Sequence, residues 1–538
     1  MPTSLRTAPH RWLSALVIVA ALTLILDLPT AHRTTRAPSV IVGPYSSLLA
    51  ASTDLGPARG DHIQITAALD SHERPSALLN WAAYQHLSVQ WRPGDNWAVI
   101  AGKPDRVGDA FGVDVHDYRS RHGQEFYAAS RQPQVPNELR GTVTEFGRIL
   151  SYTPQHDATP AMPLSMPQRG LSPSMLLNAY HAEQLAKAGN TGKGITIVIF
   201  AFDGFDQADL DMFATTFDLP KFTPIVVGGL HDEIHGETTM DLEVAHAVAP
   251  DAQLVVVNAR PTVSGDGAYV KIGQMFEQTD RDYPGAIWSL SIGWSCDKLI
   301  TAADLAPVRS ALSAAQAHGT TAFDASGDLA GLECRSGQDW DSPPGTDDIG
   351  LDSVASIPEM TNVGGTTLST DAGGSWLAEQ AWINVPLTQG TGGGISNLFE
   401  LPRWQSTAAD QVDPNRRTGK RMTPDISAVA DPYTGVKIVV HQEVLIGGGT
   451  SQSAPAWAGL AAVMDQYLID HGGHRIGALN PALYRVAIGA PNPAFHDITL
   501  GGNAVDTAHP GYDLVSGLGT PDIDGMTQDL LILQRVAQ

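Results

Sequence analysis

Cysteine is nearly absent from this chain: Cys296 and Cys334 are the two among 538 residues. So few thiols exclude a small fold held by many disulfides. Two cysteines this far apart, without histidines at ligand spacing, cannot build a zinc site. A disulfide between them is permissible in an exported protein, and two free buried thiols are the other reading. Positive charge is also scarce. Lys and Arg total 33 against 57 Asp and Glu, a formal charge of −24. A chain this acidic repels nucleic acid and anionic membrane surfaces, which removes both as partners. The same charge shrinks as carboxylates protonate, so it suits either plain solubility or work in acid. No internal repeat is found, which excludes a solenoid.

The N-terminus carries a short apolar run, Leu13–Leu26. It follows Arg6, His10 and Arg11 and precedes Asp27 and Pro29. A basic start, a short apolar core and a polar break form the pattern of a signal peptide over residues 1–31, with cleavage near Ala31. The run falls short of the roughly 20 residues that a bilayer span needs. The expectation is therefore a secreted protein, with an uncleaved N-terminal membrane anchor as the alternative.

The length implies two or more domains, and the 53 glycines suit a globular chain with many tight turns. Residues 39–151 read as a small α+β unit: Ile63–Ala67 alternates as a strand would, and Ala77–Tyr84 reads as a helix. Residues 152–170 form a proline-rich linker, with Pro154, Pro160, Pro163 and Pro167, that suits proteolytic entry. From 171 to 538 the texture changes. Ile195–Phe202, Leu254–Val257 and Ala286–Leu290 are near-continuous apolar runs, and helix-like segments such as Thr239–Val248 and Ala306–His318 lie between them. Buried strands alternating with helices imply an α/β, doubly wound, mostly parallel sheet.

Three segments carry residue types for chemistry. Gly447-Gly448-Gly449-Thr450-Ser451 precedes a buried helix, which puts Ser451 at a helix N-terminus where backbone N–H groups can bind an oxyanion. An ordinary helix cap reads the same way. Upstream, His235-Gly236-Glu237 leads to Asp241. If Thr238 begins a helix, Glu237 and Asp241 share one face, where adjacent carboxylates raise one another's pKa and supply a base for acid conditions. A capping carboxylate on a solvated face is the plain alternative. Third, Ser326-Gly327-Asp328 follows the expected strand Thr320–Phe323, and a protonated Asp328 can donate to an oxyanion; a turn aspartate is the competing reading.

Together these segments resemble the sedolisin, or serine-carboxyl peptidase, family. Other matching stretches are Val363-Gly364-Gly365-Thr366, Gly392–Ser396 with Pro402–Gln405, and Pro424–Ser427 with Ala430-Asp431-Pro432. Val135–Phe146 is similar to the family's activation segment. The resemblance implies a subtilisin-like fold behind an inhibitory prodomain, protein or peptide substrates, and a self-processing, acid-active endopeptidase acting as a monomer. It implies that Ser451, Glu237 and Asp241 form the triad and that Asp328 is the oxyanion acid. It also implies calcium held by the carboxylates of Asp497 and Asp513 and the carbonyls of Ile498, His509 and Gly511, although the family usually has Gly where His509 stands. Some members extend the triad with a Glu and a Trp; Phe200 and Ile292 occupy those positions here.

Two other readings stand beside this one. His235-Gly236 and Asp203-Gly204 suggest a subtilisin-like peptidase that uses histidine. A non-catalytic relative that binds rather than cuts is the second, since a fold does not prove activity.

Overall fold

The computed structural model describes residues 43–121, 123–152, 170–263, 265–335, 345–384 and 389–537. The signal segment 1–31 lies outside them, as does all of the linker 152–170 except its two end positions. Among the described residues no helix is long and apolar enough to cross a membrane.

The N-terminal unit holds α1 (Gly43–Ala51), β1 (Thr53–Pro57), β2 (Ile63–Leu69), α2 (Ser76–Tyr84), β3 (Ser88–Gln90), β4 (Trp97–Gly102), α3 (Pro104–Phe111), β5 (Val115–Arg119), β6 (Glu125–Ala129) and β7 (Val143–Phe146). Strands β3-β4-β2-β7 form one antiparallel sheet and β1-β5-β6 another. Ile63, Ile65, Ala67 and Leu69 alternate along β2 onto one buried face, as period-two patterning requires. They pack with Leu78 and Trp81 of α2 and Phe111 of α3.

The second unit is a layered α/β structure. Its sheet comprises β8 (Thr196–Ala201), β9 (Ile225–Val227), β10 (Gln253–Asn258), β11 (Ile287–Leu290), β12 (Thr321–Ala325), β13 (Thr361–Thr370), β14 (Trp376–Ala381) and β15 (Ile426–Val429). The order is β14-β13-β12-β11-β8-β10-β9, with β15 also on β13, and all pairs are parallel except β13–β14. Strand β8 shows why these strands read as unbroken apolar runs. Ile197 and Ile199 enter one core, while Val198 and Phe200 enter the other.

Helices cover both faces. On one side lie α4 (Glu237–Val248) and α7 (Thr450–Asp470); on the other lie α5 (Ala268–Asp282) and α6 (Ala306–Ala317). Helix α4 begins one residue before the expected Thr238, so Glu237 is its first residue, behind Gly236 at φ +100°. Gly459 lets α4 and α7 touch closely, because a methyl group there would come within 2.7 Å of Val248 Cβ. The two helices therefore cross with little between them.

The N-terminal unit docks on α5 and α6. Arg92 forms a two-pronged ion pair with Glu277 of α5. Asp304, just before α6, accepts from the Arg148 amide, and Glu145 accepts from the Ala303 amide.

Candidate active site

The chemically important side chains gather at the carboxyl end of the parallel strands, where ligands bind in open α/β sheets. Asp203 follows β8, Ser291 follows β11, and Asp328 follows β12. Helices α4 and α7 bring Glu237, Asp241 and Ser451 to the same edge.

Asp203 anchors the start of α4. Its carboxylate accepts from the amides of His235 at 2.8 Å, Gly236 at 3.0 Å and Thr238 at 3.0 Å, and from the Thr238 hydroxyl. Orphan amides at a helix start are thereby satisfied. Glu237 is left pointing inward. Both of its carboxylate oxygens are shielded from solvent and have no hydrogen-bond partner in good geometry. Burial pushes its pKa far up, and the negative charges of Asp241, Asp203 and Asp328 add to that; the nearby Ser451 hydroxyl pulls the other way. Asp241 is buried and raised for the same first reason, with Ser291 lowering it and Asp203 raising it. The Ser291 hydroxyl lies 2.9 Å from Asp241 Oδ1 and 3.0 Å from the Ser451 carbonyl. One small side chain thus fixes the acid pair against the serine's backbone.

Asp328 is held by the two residues just before Ser451. Its Oδ1 accepts from the Thr450 amide and hydroxyl, both at 2.8 Å. Its Oδ2 rests against Gly449, where a methyl group would come within 2.6 Å. Gly449 also has φ +85°, so glycine is demanded there twice. Burial raises the Asp328 pKa, while Thr450 lowers it. The Ser451 amide belongs to the first turn of α7, where N–H groups lack intrahelical acceptors. Beneath this loop the Glu333 carboxyl accepts from the Leu329 amide and is pushed far up by burial. Cys296 and Cys334 are joined as a disulfide between the loops that follow β11 and β12.

The histidine reading has no geometric basis. His235 is 59% exposed and turned toward Glu233, and the oxygens of Asp203 are committed to α4. Phe200 and Ile292 are both buried; Phe200 packs edge-on to Phe276 and Trp288, so core fills the place of a polar extension.

Far along the chain, Asp497 and Asp513 reach the same loop. Asp513 Oδ2 accepts from the His509 amide and Asp497 Oδ2 from the Gly511 amide, both at 3.0 Å. No backbone amide among the described residues donates to the carbonyls of Ile498, His509 or Gly511 outside regular elements. His509 is not among the positive-φ residues, so the side chain there imposes no left-handed strain. An all-oxygen set of two carboxylates and open carbonyls fits a hard cation of calcium's kind.

Sequence reading missed Ser291, Thr450 and Glu333, and placed Asp203 only in the histidine scheme. Short polar side chains at strand ends were the available signal, but their partners lie far away in sequence.

A serine at one helix start, beside a buried acid pair at another, is the kind of arrangement a serine-type hydrolase is built on. Comparison with known proteins makes this specific. Residues 61–145 match the "Pro-kumamolisin, activation domain" family. The chain is 31% identical over 452 residues to kumamolisin of Bacillus sp. (strain MN-32), covering 79% of this chain and 77% of that protein. It is 27% identical over 450 residues to sedolisin of Pseudomonas sp. (strain 101), covering 78% and 73%. It is 25% identical over 456 residues to human tripeptidyl-peptidase 1, covering 78% and 76%. The solved structure of Pseudomonas sedolisin, a serine-carboxyl proteinase complexed with pseudo-iodotyrostatin, superposes with a TM-score of 0.57 at 26% identity, covering 67% of this chain and 97% of that one. The chain belongs to the sedolisin, or serine-carboxyl peptidase, family. It is a hydrolase of peptide bonds made with an activation prodomain.

Proposed function

We propose that the chain is an exported, self-processing zymogen of an acid-active endopeptidase that works as a monomer. In this reading Ser451 is the nucleophile, Glu237 its general base, Asp241 the support of Glu237, and Asp328 the oxyanion acid. The observation that carries it is the Glu237 carboxylate: shielded, unpartnered, raised by burial and Asp241, and set against the Ser451 hydroxyl.

The steps follow from these positions. Glu237 takes the proton of Ser451 Oγ as that oxygen bonds to the scissile carbonyl carbon. The carbonyl electron pair moves to its oxygen, which receives hydrogen bonds from the Asp328 O–H and the Ser451 N–H. Collapse expels the amine, which takes the proton from Glu237 and leaves an acyl ester on Ser451. Water then loses a proton to Glu237 as it attacks the ester, and Ser451 departs with that proton. Asp241 shares charge with Glu237 throughout, and Ser291 holds Asp241 in place.

Acidifying the wild-type proenzyme should shorten it within 152–170, as read by intact mass. Ser451→Ala should stay full-length and folded without turnover; normal turnover by that variant rules out the proposed nucleophile.

Calcium, held by Asp497, Asp513 and the carbonyls of Ile498, His509 and Gly511, supplies positive charge that ties these chain segments together. Calcium removal by a chelator should lower Tm while leaving freshly assayed kcat/KM nearly intact, because a ligand that binds the folded state stabilises it. An unchanged melting curve, with no calcium by elemental analysis, sinks this part.

A further inference from the structure

Away from the catalytic edge, three side chains of metal-ligand type meet where the start of the peptidase unit touches its end. His181 lies two residues beyond the short helix Pro173–Ala179. His496 closes the two-residue strand Phe495–His496, and Asp522 immediately precedes the last helix, Ile523–Ala537. One ligand atom from each lies within 4.8 Å of the other two. His181 Nδ1 is 2.8 Å from Asp522 Oδ2.

The backbone holds these three in place. His496 pairs opposite Thr520, two residues before Asp522. The Asp522 amide donates to the Ala494 carbonyl, and the Ile523 amide donates to the Tyr180 carbonyl, both at 3.0 Å. Asp522 Oδ1 accepts from the Gly525 amide at 3.3 Å, which leaves Oδ2 facing the histidines. The Trp376 ring stacks on His496 at 4.6 Å and 9°. The His181 ring meets His496 edge-on at 5.4 Å.

A second observation points to a ligand. His496 Nε2 is shut off from solvent and has no hydrogen-bond partner. A plain His181–Asp522 ion pair with His496 as packing leaves that nitrogen unpaired, which folded proteins avoid. A metal ion would give all three groups a common partner. Two imidazoles and a carboxylate suit a borderline divalent ion of the zinc class, unlike the all-oxygen set for calcium. Tetrahedral bonds near 2.05 Å put ligand atoms about 3.3 Å apart, a small opening from the 2.8 Å between His181 Nδ1 and Asp522 Oδ2 and inside the 4.8 Å within which all three groups lie. The His181 side chain is 47% exposed, which leaves an open side for a water as fourth ligand.

We propose that His181, His496 and Asp522 bind one zinc-class divalent cation that clasps the first segment of the peptidase unit to its C-terminal helix. The site shares no side chain with the proposed chemistry or with the all-oxygen set, although His496 directly precedes Asp497. It staples the part of the chain nearest the linker, where processing creates a new end.

The test uses full-length proenzyme carrying Ser451→Ala, at about pH 7.5, with calcium in excess. Titration with Co²⁺ should give the visible absorption of a tetrahedral nitrogen–oxygen site at one equivalent, and Zn²⁺ should displace it and raise Tm. His181→Asn should weaken both metals at least tenfold while leaving the metal-free Tm unchanged. Asn tolerates the left-handed backbone of position 181, at φ +53°. His496→Gln should do the same. If His496→Gln does not fold, His181→Asn decides. The proposal fails if the parent shows neither the cobalt spectrum nor a zinc-dependent Tm shift, or if His181→Asn binds zinc as tightly as the parent.

Discussion

Asp328 and the Glu237–Asp241 pair must hold opposite protonation states for the proposed chemistry to run. Burial raises all three, so both conditions fall together in acid. The pair has to keep one negative charge, so activity is lost as pH falls and the pair takes up its second proton. Asp328 has to keep its proton, so activity is lost as pH rises through its raised pKa. The pair titrates as a unit and sets the acid limb; Asp328 sets the alkaline limb. Asp328→Asn keeps an acceptor for Thr450 and places an amide N–H beside Gly449, so it should retain activity and extend it to higher pH. Asp328→Ala should lose about 10²–10³-fold in kcat, the size of one oxyanion donor. Profiles of kcat/KM against pH on pre-activated enzyme check this. An Asn variant with full activity and an unmoved alkaline limb removes Asp328 from the role.

At the scale of elements, the prodomain grips the start of α6 through a close backbone approach. Gly147 sits so near Asp304 that a methyl group there would lie 2.1 Å from Oδ1. Asp304 in turn accepts from the amides of Thr301 and Arg148, which ties the α6 entrance to the segment after β7. Trp97 and Val99 of β4 pack on Ala306 beside it. Gly147→Ala should therefore force the prodomain off this contact. Overpacking of this kind costs about 1–3 kcal/mol, or roughly 5- to 150-fold in an equilibrium constant. The variant proenzyme should process faster at a given pH, while enzyme cut within the proposed 152–170 linker, and so freed of residue 147, should keep wild-type kcat and KM. Unchanged processing rates at every pH would show that this contact does not restrain the zymogen.

For the whole molecule, buried acids tune stability as well as activity. Burial pushes Asp352 and Asp465 each from an ordinary 3.8 up to about 7. A carboxyl raised in the folded state binds its proton more tightly there than in the unfolded chain. Its stabilising contribution is complete below about pH 4 and is lost as pH climbs to about 7. Glu237, Asp241, Glu243, Asp324 and Glu333 are raised in the same direction. His246 opposes them, because burial lowers it from 6.5 to about 4 and its contribution is lost over that interval as pH falls. The carboxyls outnumber it, and the net charge of −24 also relaxes in acid. The Ser451→Ala proenzyme should therefore show a higher Tm at about pH 5 than at about pH 8. Equal or lower melting in acid would mean that these carboxyls find relief which the folded structure does not reveal.

Much of this was legible from local pattern. Apolar runs such as Ile195–Phe202 announced strands buried on two faces, because both faces of a parallel sheet exclude water. The Gly-Thr-Ser turn announced a helix start, since backbone geometry and capping chemistry act within a few residues. The four-residue spacing of Glu237 and Asp241 placed two acids on one helical face for the same reason. Partners across the fold left no such mark. Ser291 reaches Asp241 and the Ser451 carbonyl, Thr450 holds Asp328, and His181 meets His496 and Asp522 only through tertiary packing. Proton affinities belong to that level too: an aspartate in a sequence is an ordinary acid until neighbours remote along the chain strip its water away. Residue order determined which groups were available and on which elements they would ride. The folded structure alone decided which of them meet in the absence of solvent, because desolvation and long-range contact have no periodicity to read.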